Sequence, residues 1–179
     1  MKIAVGMASS GVMGMQTVET LVKLFKSDPT MGFIYKQSCY VHYNRETIAE
    51  EALAGGYEYL FFVDSDMKFE PDVLSKLLVH NKDIVGAIYN KRLDPPTKIF
   101  NVRHDPLPNK LFKQNILASG CMLIKMEVFK KLPKPWFFLG TETLQLGEDV
   151  YFCKKARENG IELWCDPTLN VGHVGEKVY

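Results

Sequence analysis

Short apolar runs alternate with amphipathic stretches along the first ninety residues. The apolar runs at residues 2–8, 32–37, 59–63 and 83–89 predict buried strands, since each is short and is bounded by polar or turn-forming residues. Three stretches between these runs repeat their apolar residues with the period of a helix. Strands that alternate with helices in this way indicate a sheet of parallel strands with crossover helices.

The three amphipathic stretches also predict where the helices begin and end and which face they bury. Asp28-Pro29 stops the first helix, Asn44 is expected to cap the second, and Pro71 with Asp72 begins the third. Gly55-Gly56 marks the end of the second helix. The residues predicted to face inward are Val18, Leu21, Val22 and Phe25; Ile48, Ala49, Ala52 and Leu53; and Val73, Leu74, Leu77 and Leu78.

The regular alternation stops at residue 90. From there to residue 115 the chain carries Asp94-Pro95-Pro96 and Asp105-Pro106, and only residues 98–103 resemble a strand. A segment this irregular inside a compact domain is often a functional loop. Beyond it the pattern predicts a strand at 116–125, a short helix up to Leu132, a helix at 148–158, a strand at 161–165 and an irregular tail.

Composition and charge remove several classes of protein. A chain of 179 residues with 46% apolar and 24% charged residues is typical of one soluble globular domain. The net charge of +1 gives no global attraction to nucleic acid or to an anionic membrane, although Lys91 and Arg92 form a small basic stretch. No apolar run approaches the roughly 18 residues of a membrane span. Neither a nucleic-acid partner nor a membrane span is therefore expected.

The cysteines and the N-terminus favour a cytoplasmic location. The four cysteines are scattered without a CxxC pair, which argues against a zinc knuckle or redox dithiol and suits reduced thiols. The first residues, MKIAVGMASS, lack the long apolar core and the cleavage pattern of a signal peptide.

Two carboxylates follow the buried run at 59–63. Asp64 and Asp66 stand on either side of Ser65, so their like charges repel unless something compensates for them. Open α/β sheets bind ligands beyond the carboxyl ends of their strands, and a divalent cation with a phosphate-bearing ligand would convert this repulsion into a binding site. Taken alone, the triplet is equally consistent with a solvated turn.

Two further groups of residues strengthen the metal interpretation. Glu148 and Asp149 follow Gly147 at a predicted helix start, where acidic residues often only complement the helix dipole. His173 lies in the tail within the sequence GHVG, whose glycines leave room for close approach of a ligand.

The sequences DSD, GED and GHVG, in this order and with the helix YNRETIAEEAL ahead of DSD, resemble the GT-A glycosyltransferases, specifically the family 2-like group. The resemblance covers about residues 2–175. It implies an α/β fold, a Rossmann-like three-layer sandwich with a mostly parallel central sheet. It also implies a single domain over 1–179, in which residues 1–89 bind the nucleotide and residues 90–179 supply the acceptor and catalytic half.

The resemblance assigns a role to each matching residue. Asp66 and His173 are implied to bind a divalent metal, Mn²⁺ or Mg²⁺, and the imidazole favours Mn²⁺. Asp64 is implied to contact the ribose or a metal-bound water. Asp149 is the implied general base, with Glu148 orienting the acceptor or substituting as the base. The residues implied to line the nucleotide-sugar are Ala8, Ser9, Arg45, Asp64, Ser65 and Asp66, and those implied to lie near the sugar and acceptor are Ser119 and Gly120.

The implied reaction is transfer of a sugar from a nucleotide-diphosphate sugar, with a UDP-sugar favoured, to a hydroxyl of a glycan, protein or small-molecule acceptor. Inversion through Asp149 is the implied stereochemistry. Two alternatives stay open. A nucleotidyltransferase of related fold would need an Arg or Lys close after the first strand to bind a triphosphate. Here the first such residue after Gly11 and Gly14 is Lys23, which counts against this alternative. A non-catalytic module would bind nucleotide-sugar or glycan without turnover. The sequence does not determine the oligomeric state.

Overall fold

The computed structural model describes residues 1–93, 95, 97–98, 107–140 and 146–175. Within them the strands are β1 (Ile3–Ser9), β2 (Gly32–Gln37), β3 (Tyr59–Val63), β4 (Met67–Phe69), β5 (Ile84–Ala87), β6 (Phe112–Lys113), β7 (Cys121–Lys125), β8 (Leu163–Asp166) and β9 (Val171–His173). The helices are α1 (Met15–Ser27), α2 (Val41–Ala54), α3 (Asp72–Val79), α4 (Met126–Lys131) and α5 (Glu148–Glu158). None of the helices in these residues combines the length and the apolar character needed to span a bilayer.

A seven-stranded sheet forms the centre of the molecule, with the strand order β2-β1-β3-β7-β5-β8-β6. β1 is parallel to β2 and β3, and β5 is parallel to β8. β7 is antiparallel to both of its neighbours, and β6 is antiparallel to β8. The predicted α/β class with a mostly parallel sheet is confirmed, with β7 and β6 running against the other strands.

Helices cover both faces of the sheet, which makes three layers. α2, α4 and α5 pack on one face around Phe129 and Phe152, while α1 and α3 pack on the other around Leu24 and Leu77. β3 shows why both faces are apolar: Leu60 and Phe62 point to the first core and Phe61 and Val63 to the second. A strand buried on both sides therefore reads as a continuous apolar run.

The predicted inner face of α1 is partly wrong. Leu21 is buried as expected, but Val18 and Val22 are 36% and 48% exposed, and the other buried residues of the helix are Thr17, Thr20 and Leu24. The helix also packs against β4, where the Thr20 hydroxyl accepts a hydrogen bond from the Phe69 N–H. Thr20 therefore lies at the contact between α1 and β4, while Val18 and Val22 lie on the more exposed side of the helix.

Asn44 does not cap α2, because the helix begins three residues earlier at Val41. The Asn44 side chain is buried, and its amide donates to the backbone carbonyls of Ser9 and Ser38. It thereby ties the loop before α2 to the end of β1. The predicted inner face of this helix is largely confirmed, since Ile48, Ala49 and Ala52 are buried.

Two short strands that the sequence pattern does not predict, β4 and β9, form a second sheet. They pair antiparallel, with Met67 opposite His173 and Phe69 opposite Val171. The Val174 N–H donates to the Asp66 carbonyl at 2.7 Å and extends the pairing by one step. Residues 171–174 of the tail expected to be irregular thus pair with residues 66–69, which follow β3.

Other element bounds differ from the prediction by a few residues. The strand expected at 116–125 begins at Cys121, and the strand expected at 161–165 begins at Leu163. β6 lies inside the segment at 90–115, in which no strand was expected at this point. Most of the strand expected at 98–103 lies outside the described residues, apart from an isolated bridge between Asn90 and Lys98.

Candidate active site

The candidate site lies at the carboxyl end of β3, where three segments meet. The Asp64 N–H donates to the Gly120 carbonyl at 3.2 Å, which joins the turn after β3 to the loop before β7. The Gly14 N–H donates to the Ser65 carbonyl at 3.1 Å and adds the loop between β1 and α1. Backbone hydrogen bonds therefore hold the DSD turn on both sides and fix the direction of its carboxylates.

Asp66 and His173 are in direct contact. His173 Nε2 donates to Asp66 Oδ2 at 3.1 Å, and the pairing of β4 with β9 brings the two residues together. The same carboxylate oxygen is 3.2 Å from Nη1 of Arg92. Asp66 therefore has two basic side chains as partners.

These contacts shift the pKa values of the pair in opposite directions. Burial by itself raises the pKa of Asp66, but the hydrogen bond and charge of His173 and the charge of Arg92 outweigh it and lower that pKa. The hydrogen bond to Asp66 raises the pKa of His173 above its ordinary value, although burial opposes the rise. Asp66 is consequently a carboxylate over the whole neutral range.

Asp66 and His173 could supply two of the ligands of a divalent metal. His173 Nδ1 donates to the backbone carbonyl of Asn90 at 3.1 Å, which orients the ring so that Nε2 faces Asp66. Metal-binding histidines commonly have such a carbonyl on the other ring nitrogen. In the part of the chain that the structure describes, no group of three or more His, Cys, Asp or Glu side chains stands ready for a metal. Phosphate oxygens and water would have to complete the coordination, as is common for Mg²⁺ and related ions.

Arg45 lies under the site and joins two of its carboxylates. Its side chain is 3% exposed, with Nη2 2.6 Å from Asp64 Oδ1 and Nε 3.1 Å from Glu148 Oε1. Burial alone lowers the pKa of the guanidinium, but the charges of Asp64 and Glu148 raise it above its ordinary value. Nη1 is buried and has no hydrogen-bond partner among the described residues. Arg45 thus holds the ends of β3 and α5 together through its charge.

Asp149 has no such cationic partner within hydrogen-bonding distance among the described residues. It follows Glu148 at the start of α5, and its carboxylate accepts a hydrogen bond from the Val150 N–H at 2.8 Å. Burial, followed by the charge of Glu148, raises the pKa of Asp149 to about 6. A carboxylate with this pKa is a stronger base than an ordinary aspartate and is still ionised at neutral pH.

The loop before β7 brings Ser119 and Gly120 to the same place. The Gly120 N–H donates to Tyr89 Oη at 3.2 Å, and a Cβ at position 120 would lie 2.9 Å from Asp64 Oδ2. Glycine is therefore the residue that leaves room beside the carboxylate. Ser119 Oγ is buried and has no hydrogen-bond partner among the described residues.

Tyr89 and Arg92 are the site residues that the sequence interpretation did not assign. Tyr89 is buried, which together with the charge of Asp64 raises the pKa of its hydroxyl well above the ordinary value. Its ring also packs edge-on against His173, with ring centres 5.5 Å apart. The sequence could have indicated Tyr89 by its position. Tyr89 ends the apolar run at 83–89 and so lies at the same sheet edge as Asp64.

The structure places Ala8 and Ser9 at the end of β1, both 5% exposed. The Ser9 hydroxyl is occupied by its own loop, since it accepts from the Gly11 N–H and donates to the Val12 carbonyl. Ser65 lies in the DSD turn, partly exposed, with its carbonyl bound by Gly14. The site thus brings together the acidic residues, His173, Arg45 and Gly120, while Ala8 and Ser9 lie in the neighbouring strand.

Comparison with known proteins yields structural relatives only. No protein-family model matches the chain, and no curated protein matches its sequence. Protein A197 from STIV is similar in structure, with a TM-score of 0.71 and 18% identity, over 98% of this chain and 87% of that one. GalNAc-T7, solved with UDP, GalNAc and Mn²⁺, is similar with a TM-score of 0.61 and 11% identity. The match covers 98% of this chain and 44% of GalNAc-T7. The chain therefore shares the fold of the GT-A glycosyltransferases, and at these identities the likeness extends to the fold alone.

Proposed function

We propose that the protein is a metal-dependent glycosyltransferase that moves a sugar from a nucleotide-diphosphate sugar to an acceptor hydroxyl. The contact between Asp66 and His173 is the observation that carries this proposal. A carboxylate oxygen and an imidazole nitrogen lie side by side there, at the sheet edge where α/β folds bind nucleotides, and both are atom types that bind divalent metals. The fold shared with GalNAc-T7, which was solved with UDP, GalNAc and Mn²⁺, supports a UDP-sugar as the donor and Mn²⁺ as the metal.

Asp66 and His173 would hold the divalent cation against the diphosphate of the donor. When bound, such a cation supplies positive charge where negative charge develops on the departing diphosphate. For His173 to bind metal through Nε2, that nitrogen must lose its proton, while Nδ1–H stays on the Asn90 carbonyl. Asn90 is thus the group that keeps the imidazole in the tautomer that the site needs.

Asp64, Arg45, Tyr89 and Gly120 would form the pocket for the transferred sugar. The space beside Gly120 is bordered by Asp64 and by the Tyr89 hydroxyl, so hydroxyl groups of a sugar would meet a carboxylate and a phenol there. Nη1 of Arg45 and Oγ of Ser119 are further buried polar atoms in these segments, and neither has a hydrogen-bond partner within the described part of the chain. Buried polar atoms without partners are costly, and a polar ligand would satisfy them.

Asp149 is the general base in this proposal. Glu148 is held by the salt bridge to Arg45, which restricts its side chain. Asp149 lacks that restraint and has a pKa raised to about 6, so it accepts a proton more readily than an ordinary aspartate. Removal of the acceptor proton by Asp149 on the face opposite the diphosphate would invert the anomeric centre. The division into a nucleotide-binding half at 1–89 and an acceptor half at 90–179, and a cytoplasmic location, stay parts of this proposal.

Nucleotide release tests the proposal. The protein is incubated with Mn²⁺ and a panel of UDP-sugars, with water and simple glycosides as acceptors, and free UDP is measured. We expect UDP release from one donor and its loss in Asp66→Asn, while Glu70→Gln, an exposed carboxylate four residues away, behaves as the wild type.

The two alternatives give different results in this assay. A binding module would bind UDP in the presence of Mn²⁺ and release none from any UDP-sugar. A nucleotidyltransferase would release pyrophosphate from UTP and a sugar phosphate and leave the UDP-sugars unchanged. Either pattern would overturn the assignment as a glycosyltransferase.

A further inference from the structure

We infer that Arg92 is a second cation of the donor site, which neutralises Asp66 in the metal-free protein and binds the diphosphate when metal and nucleotide are present. This inference rests on the proposed function, because it takes Asp66 as a metal ligand. It concerns a residue for which the sequence motifs offer no role beyond a small basic stretch.

The geometry of Arg92 differs from that of Arg45. Arg45 is buried and uses its guanidinium on two carboxylates. The Arg92 side chain is 54% exposed, and its only ion pair among the described residues is the one to Asp66. A guanidinium has five N–H donors arranged in a planar fork, and within the described residues only Nη1 of Arg92 has an ion-pair partner, so the other donors could bind a phosphate.

Asp66 Oδ2 is shared between Arg92 and His173. Arg92 Nη1 lies 3.2 Å from this oxygen and His173 Nε2 lies 3.1 Å from it. A metal ion at the same oxygen would compete with Arg92 for it and would repel its charge. The guanidinium would then be released next to the place where the diphosphate must bind. Exposed ion pairs contribute little to folding stability, so the Arg92 contact is not explained as a structural brace.

The backbone around Arg92 is tied to the metal-binding pair. The Asn90 carbonyl, two residues before Arg92, accepts from His173 Nδ1 at 3.1 Å. The Lys91 N–H donates to the Thr97 carbonyl at 2.7 Å, so the residue just before Arg92 is also held by a backbone hydrogen bond. Arg92 therefore starts from a backbone position that is fixed relative to His173, while its own side chain is free to turn.

Gly175 gives the Arg92 side chain its space. A Cβ at position 175 would lie 3.0 Å from Arg92 Cδ and 3.4 Å from Cγ, closer than carbon atoms normally pack. The last glycine of the GHVG sequence thus makes room for the methylenes of Arg92. The other glycine of that sequence, Gly172, is less constrained, since a Cβ there would have only ordinary contacts with Lys68.

The test measures metal and nucleotide binding separately. Mn²⁺ is titrated into the full chain without nucleotide and followed by electron paramagnetic resonance, and UDP is then titrated at saturating Mn²⁺ by calorimetry. The variants are Arg92→Gln, Arg92→Lys and, as a matched control, Lys91→Gln, which removes the same charge one residue earlier. Circular dichroism confirms that each variant is folded.

We expect Arg92→Gln to change the two affinities in opposite directions. Its Kd for Mn²⁺ should fall about threefold, because a competing cation has been removed. Its Kd for UDP should rise about tenfold or more, since charge-assisted hydrogen bonds to the diphosphate are lost. Arg92→Lys should recover part of the UDP affinity, because a lysine keeps the charge and loses the fork. Lys91→Gln should change neither Kd by more than about twofold.

Two results would overturn the inference while leaving the proposed function intact. One is an Arg92→Gln variant that binds both Mn²⁺ and UDP as the wild type does. The other is a variant in which both affinities weaken together, which would mean that Arg92 only supports the shape of the site. Failure of the wild type to bind Mn²⁺, with or without UDP, would instead remove the proposed function and the inference with it.

Discussion

Arg45 Nε lies 3.1 Å from Glu148 Oε1, although the two residues are 103 positions apart in the sequence. This ion pair, of which the Arg45 side is buried, fixes the first residue of α5 against α2. It leaves Glu148 restrained and its neighbour Asp149 without a cationic partner among the described residues. The two adjacent acidic residues consequently have different surroundings, and this difference is the reason for proposing Asp149 as the base.

Arg45→Met should strongly destabilise the protein. The substitution removes the buried guanidinium from Asp64 and Glu148, whose side chains are 29% and 13% exposed. Breaking a fully buried ion pair from one side costs about 3–5 kcal/mol, so a loss of about 2–3 kcal/mol is expected for these partly exposed carboxylates. The free energy of unfolding is measured by urea denaturation. Adding Glu148→Gln to Arg45→Met should recover part of the loss, because one uncompensated charge is removed. If the free energy of unfolding of Arg45→Met alone lies within about 1 kcal/mol of the wild-type value, this role for Arg45 is contradicted.

Asp149→Asn should lower activity and raise stability in the same protein. Loss of the general base should reduce kcat by about 10²–10⁴-fold, with UDP binding nearly unchanged. The raised pKa of Asp149 means that its ionised form is disfavoured in the folded state, so an uncharged side chain should stabilise the fold by on the order of 1–3 kcal/mol at pH 8. Turnover with the best donor and thermal unfolding are measured together. Full activity in this variant would exclude Asp149 as the base.

The stability difference between wild type and Asp149→Asn should depend on pH in a defined direction. A carboxyl with a raised pKa binds its proton more tightly in the folded protein, so the wild type loses stability from this group as pH rises through about 6. The advantage of the asparagine variant should therefore be largest at pH 8 and should disappear near pH 4. Unfolding curves at matched ionic strength across this range provide the measurement, and a constant difference would contradict the pKa assignment.

The wild-type rate should follow the same group. The base must be ionised to accept a proton, so kcat/KM should rise with pH through about 6 and then level off. This rise of kcat/KM with pH should be absent from the residual activity of Asp149→Asn. A wild-type rate that is flat from pH 5 to pH 8 would show that Asp149 does not act as the base.

Gly120→Ala should disturb the pocket beside Asp64. The added Cβ would clash with Tyr89 Oη and would lie 2.9 Å from Asp64 Oδ2, and overpacking of this kind costs about 1–3 kcal/mol. Tyr89→Phe removes the hydroxyl that is in the way, so the double variant should recover stability relative to Gly120→Ala alone. Thermal unfolding of the four proteins in this cycle measures the coupling. An additive cycle would mean that the two residues do not meet as the structure shows.

The sequence predicts those features of the fold that depend on local pattern. The continuous apolar run of β3 predicts a buried strand, and in the structure Leu60 through Val63 face the two cores. The acidic residues at the start of α5 indicate the beginning of a helix, which the structure shows. Thr20 shows the limit of periodicity, since it is a polar residue that is buried beside Phe69, which is 49 positions away and donates a hydrogen bond to its hydroxyl. β4 and β9 are three residues long and exist because they pair with each other, which no local pattern reveals.

The candidate site is predictable to a similar degree. Short motifs identify Asp64, Asp66 and His173, because their residue types already indicate metal and phosphate chemistry. Arg45 is identified by its motif, but its pairing with Glu148 requires the tertiary structure. Tyr89 and Arg92 stand at the end of a strand and in an irregular segment, where composition gives no sign of the contacts they make.

Calorimetric titration of UDP at saturating Mn²⁺ tests the shared metal site most directly, with wild type, Asp66→Asn, His173→Ala and the control Glu70→Gln compared side by side. If Asp66 and His173 bind the metal together, the wild type and Glu70→Gln should bind UDP only when Mn²⁺ is present. Asp66→Asn and His173→Ala should each lose most of the affinity for UDP and its dependence on Mn²⁺. Tight UDP binding that is equal with and without Mn²⁺, or that survives in both site variants, would contradict the account.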